Sequence, residues 1–308
     1  MERAVDANYN KEAVRDEELV KLLPGFTNGN TVVNGINLHY VEGGAGEPLI
    51  LIPGWPQTWW AFHKMMPILA EKFHVIVVDM RGMGASDKPE TGYDKKTMAN
   101  DIFQLIDHLG YDNVNIAGHD IGAQVAFSFA MNHPEATRKL IILDTPHPNS
   151  GMYYIPLIPA GNNSLVAEQP ENHMWWMAFN QVKVLPEQLL IGRSHLVHDY
   201  VFKYASVNEN SITEFDRAVY LAAYDNADGI RAGNGWYQTF AQDIEDSKSF
   251  GQLSMPVLGI GGSGYELLQR ELPPYAADLN VVKVEESGHF ILEEKPQETA
   301  GLMIEFLK

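Results

Sequence analysis

The chain has 308 residues, of which 45% are hydrophobic, and it contains no cysteine. This length and composition suit one large α/β domain, with or without an insertion, better than several small domains. The formal net charge of −18 opposes binding to nucleic acid and to anionic membranes, and the lack of cysteine excludes disulfides and thiolate chemistry.

The first segment, up to about residue 30, is polar and predicts a stretch that packs loosely or acts in association. Its start is charged throughout and lacks the apolar core of a signal peptide. No apolar run has the length that a membrane-crossing helix needs. We therefore expect a cytoplasmic protein without a membrane partner.

Short apolar runs follow and predict eight strands. The first two alternate between apolar and polar residues and are joined by Asn34-Gly35, a hairpin signal. From the third onward the runs are mostly continuous Val, Ile and Leu, which is typical of parallel strands buried on both faces. The predicted strands are Thr31–Val33, Asn37–Val41, Leu49–Ile52, Val75–Val78, Val114–Ala117, Leu140–Leu143, Val257–Ile260 and Asn280–Val284.

The strand spacing breaks between Leu143 and Val257. This stretch has no convincing buried strand and is rich in helix formers, Trp, Tyr and Met. We predict a helical cap over residues 148–246, inserted between two parts of an α/β core at 1–147 and 247–308. The core ends in a helix at Pro296–Leu307, and its sheet is expected to be mostly parallel.

Reactive side chains follow three of the predicted strands. Asp120 comes after the fifth strand, Asp144 directly after the sixth, and His289 a few residues after the eighth. Ligands bind outside the carboxyl ends of the strands in open parallel sheets, so these three side chains are expected at one edge. Their order of nucleophile, acid and histidine is that of α/β-hydrolases.

The segment Gly118-His119-Asp120-Ile121-Gly122 predicts a tight turn between a strand and a helix. Such a turn lifts its central side chain above the sheet and directs the next backbone N–H at a developing oxyanion. Here the lifted residue is Asp120, where an esterase carries Ser. The alternative interpretation is an aspartate that caps the following helix, predicted to begin near Ala123.

A carboxylate at this position changes the chemistry. It is already ionised at neutral pH and can attack a saturated carbon directly, forming an ester of Asp120. His289 is then expected to deprotonate the water that attacks this ester, while Asp144 orients the imidazole. The backbone N–H groups of Trp55 and Ile121 are expected to hold the oxyanion.

Alternatives remain for two members of this set. His289 could be a loop histidine, and Asp144 could merely cap or turn the chain at Thr145-Pro146. The other usual place for the acid, after the seventh strand, reads Gly261-Gly262-Ser263-Gly264, and only Glu266 lies nearby. These glycines partly resemble a dinucleotide-binding loop, but no helix-opening pattern or downstream acidic partner supports that interpretation.

Four motifs together resemble the soluble epoxide hydrolases and the haloacid or haloalkane dehalogenases of the α/β-hydrolase superfamily. The similarity extends from about residue 31 to the last residue, and it implies an α/β-hydrolase fold with a cap. The family also places its acid at Asp144 in one branch. The motifs are Gly54-Trp55-Pro56, Asp79-Met80-Arg81-Gly82-Met83-Gly84-Ala85-Ser86-Asp87, Gly118-His119-Asp120-Ile121-Gly122 and Gly288-His289.

Residues near the nucleophile differ from those of some family members, and these differences indicate which members the chain resembles most. Haloacetate dehalogenases carry arginines where this chain has Ile121 and Gln124, which favours a neutral substrate. Haloalkane dehalogenases usually carry Trp at the place of Ile121. Pro53 stands where members normally have His, which lowers the expectation of epoxide turnover.

The resemblance also implies hydrogen-bond donors on the cap that protonate the opening epoxide oxygen. Tyr237 matches the family's cap tyrosine, while Trp175 matches the second position, beside Trp176. Trp175 can donate a hydrogen bond but cannot give up a proton, and His173 is the alternative if the register is shifted. Tyr237 and the tryptophans could instead pack the interior of the cap.

The sequence as a whole favours an epoxide hydrolase that acts on a neutral, fairly apolar small molecule, with no cofactor and no metal. Two rivals remain, and fold alone does not choose between them and the epoxide hydrolase. One is a dehalogenase with the same triad, in which Trp55, Trp175 and Tyr237 hold the halide, and the other is a ligand-binding relative without turnover. The oligomeric state, including a homodimer, stays open.

Overall fold

The computed structural model describes residues 11–155 and 174–308 and contains one eight-stranded sheet within them. The strand order is β1-β2-β4-β3-β5-β6-β7-β8. β2 pairs antiparallel with both β1 and β4, and the other five pairings are parallel. The strands are β1 (Phe26–Val33), β2 (Ile36–Gly44), β3 (Glu47–Ile52), β4 (Phe73–Val78), β5 (Val114–His119), β6 (Thr137–Leu143), β7 (Val257–Gly261) and β8 (Leu279–Lys283).

The predicted α/β fold with a mostly parallel sheet is confirmed, and each of the eight predicted strands overlaps an observed one. Most strands extend beyond their apolar runs because main-chain pairing does not depend on side-chain polarity. The largest extension is in β1, where Phe26 already pairs with Gly43. The continuous apolar runs of β3 and β4 are fully buried, as expected for central strands covered on both faces.

Helices surround the sheet and fill the interval between β6 and β7. Within the core, α4 packs on β5 and β6, and α11 packs on β7 and β8. The α-helices are α1 (Asp16–Leu19), α2 (Met66–Leu69), α3 (Lys95–His108), α4 (Ile121–Asn132), α5 (Trp175–Phe179), α6 (Leu185–Leu190), α7 (Ser194–Ala205), α8 (Glu214–Tyr224), α9 (Ala227–Gln238), α10 (Phe240–Ser247), α11 (Tyr265–Glu271), α12 (Ile291–Glu294) and α13 (Pro296–Leu307). Short 3-10 helices lie at Val20–Leu22, Trp59–Phe62, Pro134–Ala136, Ser150–Tyr154 and Glu209–Ser211.

The polar first segment packs more closely than expected from its composition. Leu19 is fully buried, and the carboxylate of Asp16 accepts a hydrogen bond of 2.6 Å from the indole N–H of Trp59. Apolar residues spaced along α1 and its flanks provide this contact with the core. The expectation of a loosely packed stretch is therefore wrong from about residue 14 onward.

The described part of the predicted cap contains helices α5 to α10 and no strand. Its helix α9 contacts the core directly, because the indole N–H of Trp236 donates to the backbone carbonyl of Arg81 at 3.0 Å. The exact bounds of the cap stay a prediction. Among the described helices, none is both long and apolar enough to span a membrane.

Candidate active site

Asp120 lies at the sharp turn between β5 and α4. Its backbone has φ 54° and ψ −123°, a conformation that L-residues adopt rarely and that is often found at functional sites. A Cβ on Gly118 would collide with the backbone of Gly122, and a Cβ on Gly122 would collide with the carbonyl of Ile52. Both glycines are therefore required, and the side chain of Asp120 makes no capping hydrogen bond to α4.

Two backbone N–H groups lie at the carboxylate of Asp120. The N–H of Trp55 donates to Oδ1 at 3.0 Å, and the N–H of Ile121 also interacts with the carboxylate. Burial acts to raise the pKa of Asp120, but the hydrogen bond and charge of His289 outweigh it, so that the pKa is lowered. Asp120 is thus anionic at neutral pH.

His289 lies between the two predicted carboxylates. Its Nδ1 is 2.8 Å from Oδ2 of Asp144, and its Nε2 is 3.5 Å from Oδ2 of Asp120. Burial lowers the pKa of His289, but the hydrogen bonds to Asp120 and Asp144 outweigh burial and raise the pKa to about 10. The structure brings together the three side chains that the sequence indicated.

Asp144 is held by the glycine-rich loop after β7. Its Oδ1 accepts hydrogen bonds from the backbone N–H groups of Gly262 at 2.7 Å and Gly264 at 2.8 Å. The hydroxyl of Ser263 lies 3.3 Å from Oδ2, while the rival acid Glu266 is exposed on α11. This loop, considered above as the other usual place for the acid, therefore anchors the acid that follows β6.

His119 is a further component that the sequence reasoning did not single out. Its Nε2–H donates to the backbone carbonyl of His289 at 2.8 Å, and the two rings lie 4.5 Å apart. Burial lowers the pKa of His119 to about 3, so that the ring is neutral. Its place beside the nucleophile, at the end of the buried strand β5, was the available signal.

The cap contributes Tyr237, which is buried in α9. Its ring meets the ring of Trp55 edge-on, with centroids 5.8 Å apart. Burial and the charge of Asp120 raise the pKa of Tyr237 well above 10, while the side chain of Asn180 opposes that rise. The phenol is therefore protonated at neutral pH and lies within the electrostatic influence of Asp120.

The other predicted cap residues lie elsewhere or outside the described part. Trp175 makes ring contacts with Trp176, Phe179 and Tyr200, all within the cap. Trp176 is buried and also contacts a cap tyrosine. His173 lies outside the described residues. The ring contacts of Trp175 and Trp176 are thus made within the cap and not with the triad.

Within the part of the chain that the structure describes, one cluster of possible metal ligands lies between the core and the cap, formed by His63, Asp216 and Glu293. The ammonium of Lys64 lies 2.6 Å from the carboxylate of Glu293 and 3.9 Å from that of Asp216. Lys64 thus already supplies the positive charge that a metal would bring. The cluster is better described as an ion-pair network.

Comparison with known proteins identifies the family of this chain. A family model for the alpha/beta hydrolase fold matches residues 47–296. The soluble epoxide hydrolase of Corynebacterium sp. (strain C12) is 36% identical over 91% of this chain and 97% of its own length.

Solved structures with the same overall fold are also similar to this chain in sequence. Cfl2 from Burkholderia cenocepacia has a TM-score of 0.83 at 31% identity, covering 92% of this chain and 96% of its own. The epoxide hydrolase CorEH has a TM-score of 0.77 at 33% identity, covering 91% of this chain and 98% of its own. The chain belongs to the α/β-hydrolase fold family and is an epoxide hydrolase-like enzyme.

Proposed function

We propose that the enzyme opens a neutral, fairly apolar epoxide to a diol through a covalent ester on Asp120. The observation that carries this proposal is the position of the Asp120 carboxylate. One oxygen receives the Trp55 N–H, and the other faces His289 across 3.5 Å. The relatives named as epoxide hydrolases support the reaction class.

In the first step, Oδ2 of Asp120 attacks an oxirane carbon and the carbon–oxygen bond of the ring breaks. Tyr237 gives its proton to the departing oxygen, which becomes the first hydroxyl. Because Asp120 is anionic and Tyr237 is protonated, both groups start in the form that this step requires. The product is an uncharged alkyl ester of Asp120.

Formation of the ester changes the charge around His289. It removes one of the two carboxylates that raise the pKa of the imidazole, so that this pKa falls. The neutral imidazole can then accept a proton from water, while Asp144 stabilises the imidazolium that results.

The water attacks Cγ of Asp120, and the oxyanion forms at Oδ1 beside the N–H groups of Trp55 and Ile121. Collapse of this intermediate releases the diol and restores the carboxylate. The proton that His289 loses when its pKa falls returns through solvent to the phenolate of Tyr237. The proton that His289 takes from water restores its resting imidazolium, which closes the balance of epoxide plus water to diol.

The residues around the nucleophile support a neutral substrate. Ile121 and Gln124 occupy the places where haloacetate dehalogenases have arginines, and both are buried. An anionic substrate would meet the charge of Asp120 without a cation from either position. The aromatic rings of Trp55 and Tyr237 favour an apolar body for the substrate.

The experiment that tests the proposal traps the ester. The His289→Gln variant, incubated with an epoxide, should gain the mass of that epoxide on the peptide that contains Asp120. His108→Gln, a substitution of an exposed histidine on α3, should show turnover and no trapped mass. In a single turnover in heavy-oxygen water, the wild-type carboxyl of Asp120 should acquire the isotope.

Product analysis separates the rivals. A diol without isotope in Asp120 contradicts the covalent mechanism. Halide release from chlorinated or brominated substrates, with no diol from any epoxide, assigns the chain to the dehalogenases. Tight binding with neither product assigns it to the ligand-binding relatives.

A further inference from the structure

A small pocket lies beside Trp55 and is lined by both polar and apolar side chains of the cap. We call it the cap pocket and define it by the side chains that the argument uses: Trp55, Asn180, Ser194, His198, Tyr224 and Asn234. It does not include the triad.

Three buried side chains of the cap pocket have polar atoms without a hydrogen-bond partner among the described residues. They are Nδ2 of Asn180, Nδ1 of His198 and Nδ2 of Asn234, in residues that are 1%, 5% and 3% exposed. Unpaired buried polar atoms are rare in folded proteins, and three of them around one cavity indicate a ligand that pairs with them.

The other polar groups of the cap pocket are already used within the protein. The hydroxyl of Ser194 donates to the backbone carbonyl of Tyr224 at 2.9 Å. The hydroxyl of Tyr224 donates to the backbone carbonyl of Gln57 at 2.8 Å. The three unpaired atoms therefore define what the pocket can bind.

Their chemistry selects a narrow class of ligand atom. The amide nitrogens of Asn180 and Asn234 only donate hydrogen bonds. Burial lowers the pKa of His198 to about 3, so that its ring is neutral and Nδ1 can accept. A hydroxyl oxygen accepts two hydrogen bonds and donates one, whereas an ether or a halide cannot donate and a carboxylate would lack a cation.

The cap pocket adjoins the reacting groups through Trp55. The ring of Trp55 contacts two rings edge-on. Its centroid lies 5.7 Å from that of His198, which lines the pocket, and 5.8 Å from that of Tyr237. The backbone N–H of Trp55 donates to the carboxylate of Asp120. Trp55 thus contacts both the cap pocket and the reacting groups, so that a short substrate chain passing this ring would reach the pocket.

We propose that the cap pocket binds a hydroxyl group of the substrate through Asn180, His198 and Asn234. The enzyme then prefers epoxides that carry an alcohol a few bonds from the oxirane over the same epoxides without it. This inference rests on the proposed function and narrows its substrate class. A water molecule has the same hydrogen-bonding capacity as a hydroxyl group. The experiment must therefore distinguish a bound water from the hydroxyl of the substrate.

Crystallography makes this separation. Crystals of the His289→Gln variant are soaked with 6,7-epoxyheptan-1-ol or with 1,2-epoxyheptane. Continuous density from the ligand chain to an oxygen within hydrogen-bond distance of the three side chains supports the proposal. Water alone in the pocket, with the alcohol end directed elsewhere, overturns it. The soak does not depend on complete turnover.

Kinetics give an independent test. The wild-type kcat/KM is measured for terminal epoxides of six to nine carbons, each with and without a hydroxyl at the far end. The best-fitting alcohol should exceed its deoxy partner by about tenfold, as expected for two or three neutral hydrogen bonds that replace water. His198→Phe, which keeps an aromatic ring against Trp55, should reduce this ratio to about one.

Control variants and product analysis distinguish failure of the cap-pocket proposal from failure of the proposed function. His195→Phe, on the same helix but outside the cap pocket, should keep the wild-type ratio, and thermal unfolding checks that each variant is folded. Asn234→Leu replaces His198→Phe if that variant does not fold. A ratio of one in the wild type, or an unchanged ratio in the variants, contradicts the cap pocket while leaving epoxide hydrolysis intact. Ligand density in the pocket without diol from any epoxide contradicts the proposed function alone.

Discussion

At the scale of single residues, His289 shows how one imidazole can serve two states of the same reaction. Its pKa is raised to about 10 because it faces Asp120 and Asp144 together. Loss of the charge on Asp120 leaves one carboxylate, which orients the ring. The charge state of the nucleophile thus decides when the histidine can act as a base.

The two chemical steps should therefore differ in their pH dependence. Ester formation should be nearly constant from about pH 5 to 9, since the pKa of Asp120 is lowered and that of Tyr237 is raised beyond this range. The rate of ester hydrolysis should rise with pH as His289 loses its proton, because this step needs the neutral imidazole. The pKa that governs this rise should lie below 10, since the ester removes the charge of Asp120. Rapid-quench mass spectrometry measures both rates, and ester formation that declines steeply across neutral pH would contradict this assignment.

Asp144 should act mainly in the second step. We expect Asp144→Asn to slow ester hydrolysis by about 10⁴-fold, the size seen when the orienting carboxylate of a triad is neutralised. The ester on Asp120 should accumulate and be visible by mass spectrometry. Asp107→Asn, at an exposed position on α3, is the control and should hydrolyse the ester at the wild-type rate. Equal rates in both variants would remove Asp144 from the mechanism.

At the scale of elements, the acid and its anchor come from two adjacent strands. Asp144 follows β6 with φ 61°, and the loop after β7 wraps its carboxylate with backbone N–H groups. The parallel pairing of β6 and β7 places both loops at the same sheet edge. Small residues in the loop are what allow this close approach.

Substitution of Gly264 tests the close packing of this loop on Asp144, because a Cβ at Gly264 would overlap the backbone carbonyl of Asp144. We expect Gly264→Ala to lower the free energy of unfolding by about 1–3 kcal/mol and to slow ester hydrolysis. Gly301→Ala is the matched control, since that helical position is exposed and has nothing within 4 Å of the new atom. It should be neutral or stabilising by up to about 1 kcal/mol in urea unfolding. Equal stability of the two variants would show that the Asp144 loop adjusts freely.

At the scale of the whole molecule, buried charge joins the cap to the core. The ammonium of Lys95, fully buried at the start of α3, lies 2.9 Å from the carboxylate of Asp243 on α10. It also donates to the backbone carbonyl of Trp236 at 2.7 Å, one residue before Tyr237. This contact fixes the helix end that carries the cap tyrosine.

Removal of one partner should be costly. Lys95→Met leaves Asp243 buried and unpaired, so we expect the free energy of unfolding to decrease by about 3–5 kcal/mol. The double variant Lys95→Met/Asp243→Leu should recover much of that loss, whereas Lys96→Met, at an exposed position, should stay within about 0.5 kcal/mol of wild type. Urea unfolding measures all three, and a single variant as stable as its control would contradict the role of this pair.

Local patterns in the sequence determined the sheet, the α/β fold and the positions of Asp120, Asp144 and His289. Strand periodicity and glycine spacing act over a few residues, so a single sequence displays them directly. The residues that hold the site could not be predicted in the same way. Asp144 and Gly262 are separated by 118 residues, and His119 and the carbonyl of His289 by 170.

Only the tertiary structure decided these long-range partners. It placed His119 against His289, assigned the glycine loop to Asp144, packed the first segment on Trp59 and left three unpaired atoms around the cap pocket. Each depends on which loops and helices meet at one edge of the sheet. These hydrogen bonds and buried contacts form only when folding brings distant parts of the chain together. The apolar periodicity that predicts the strands is already present in the sequence.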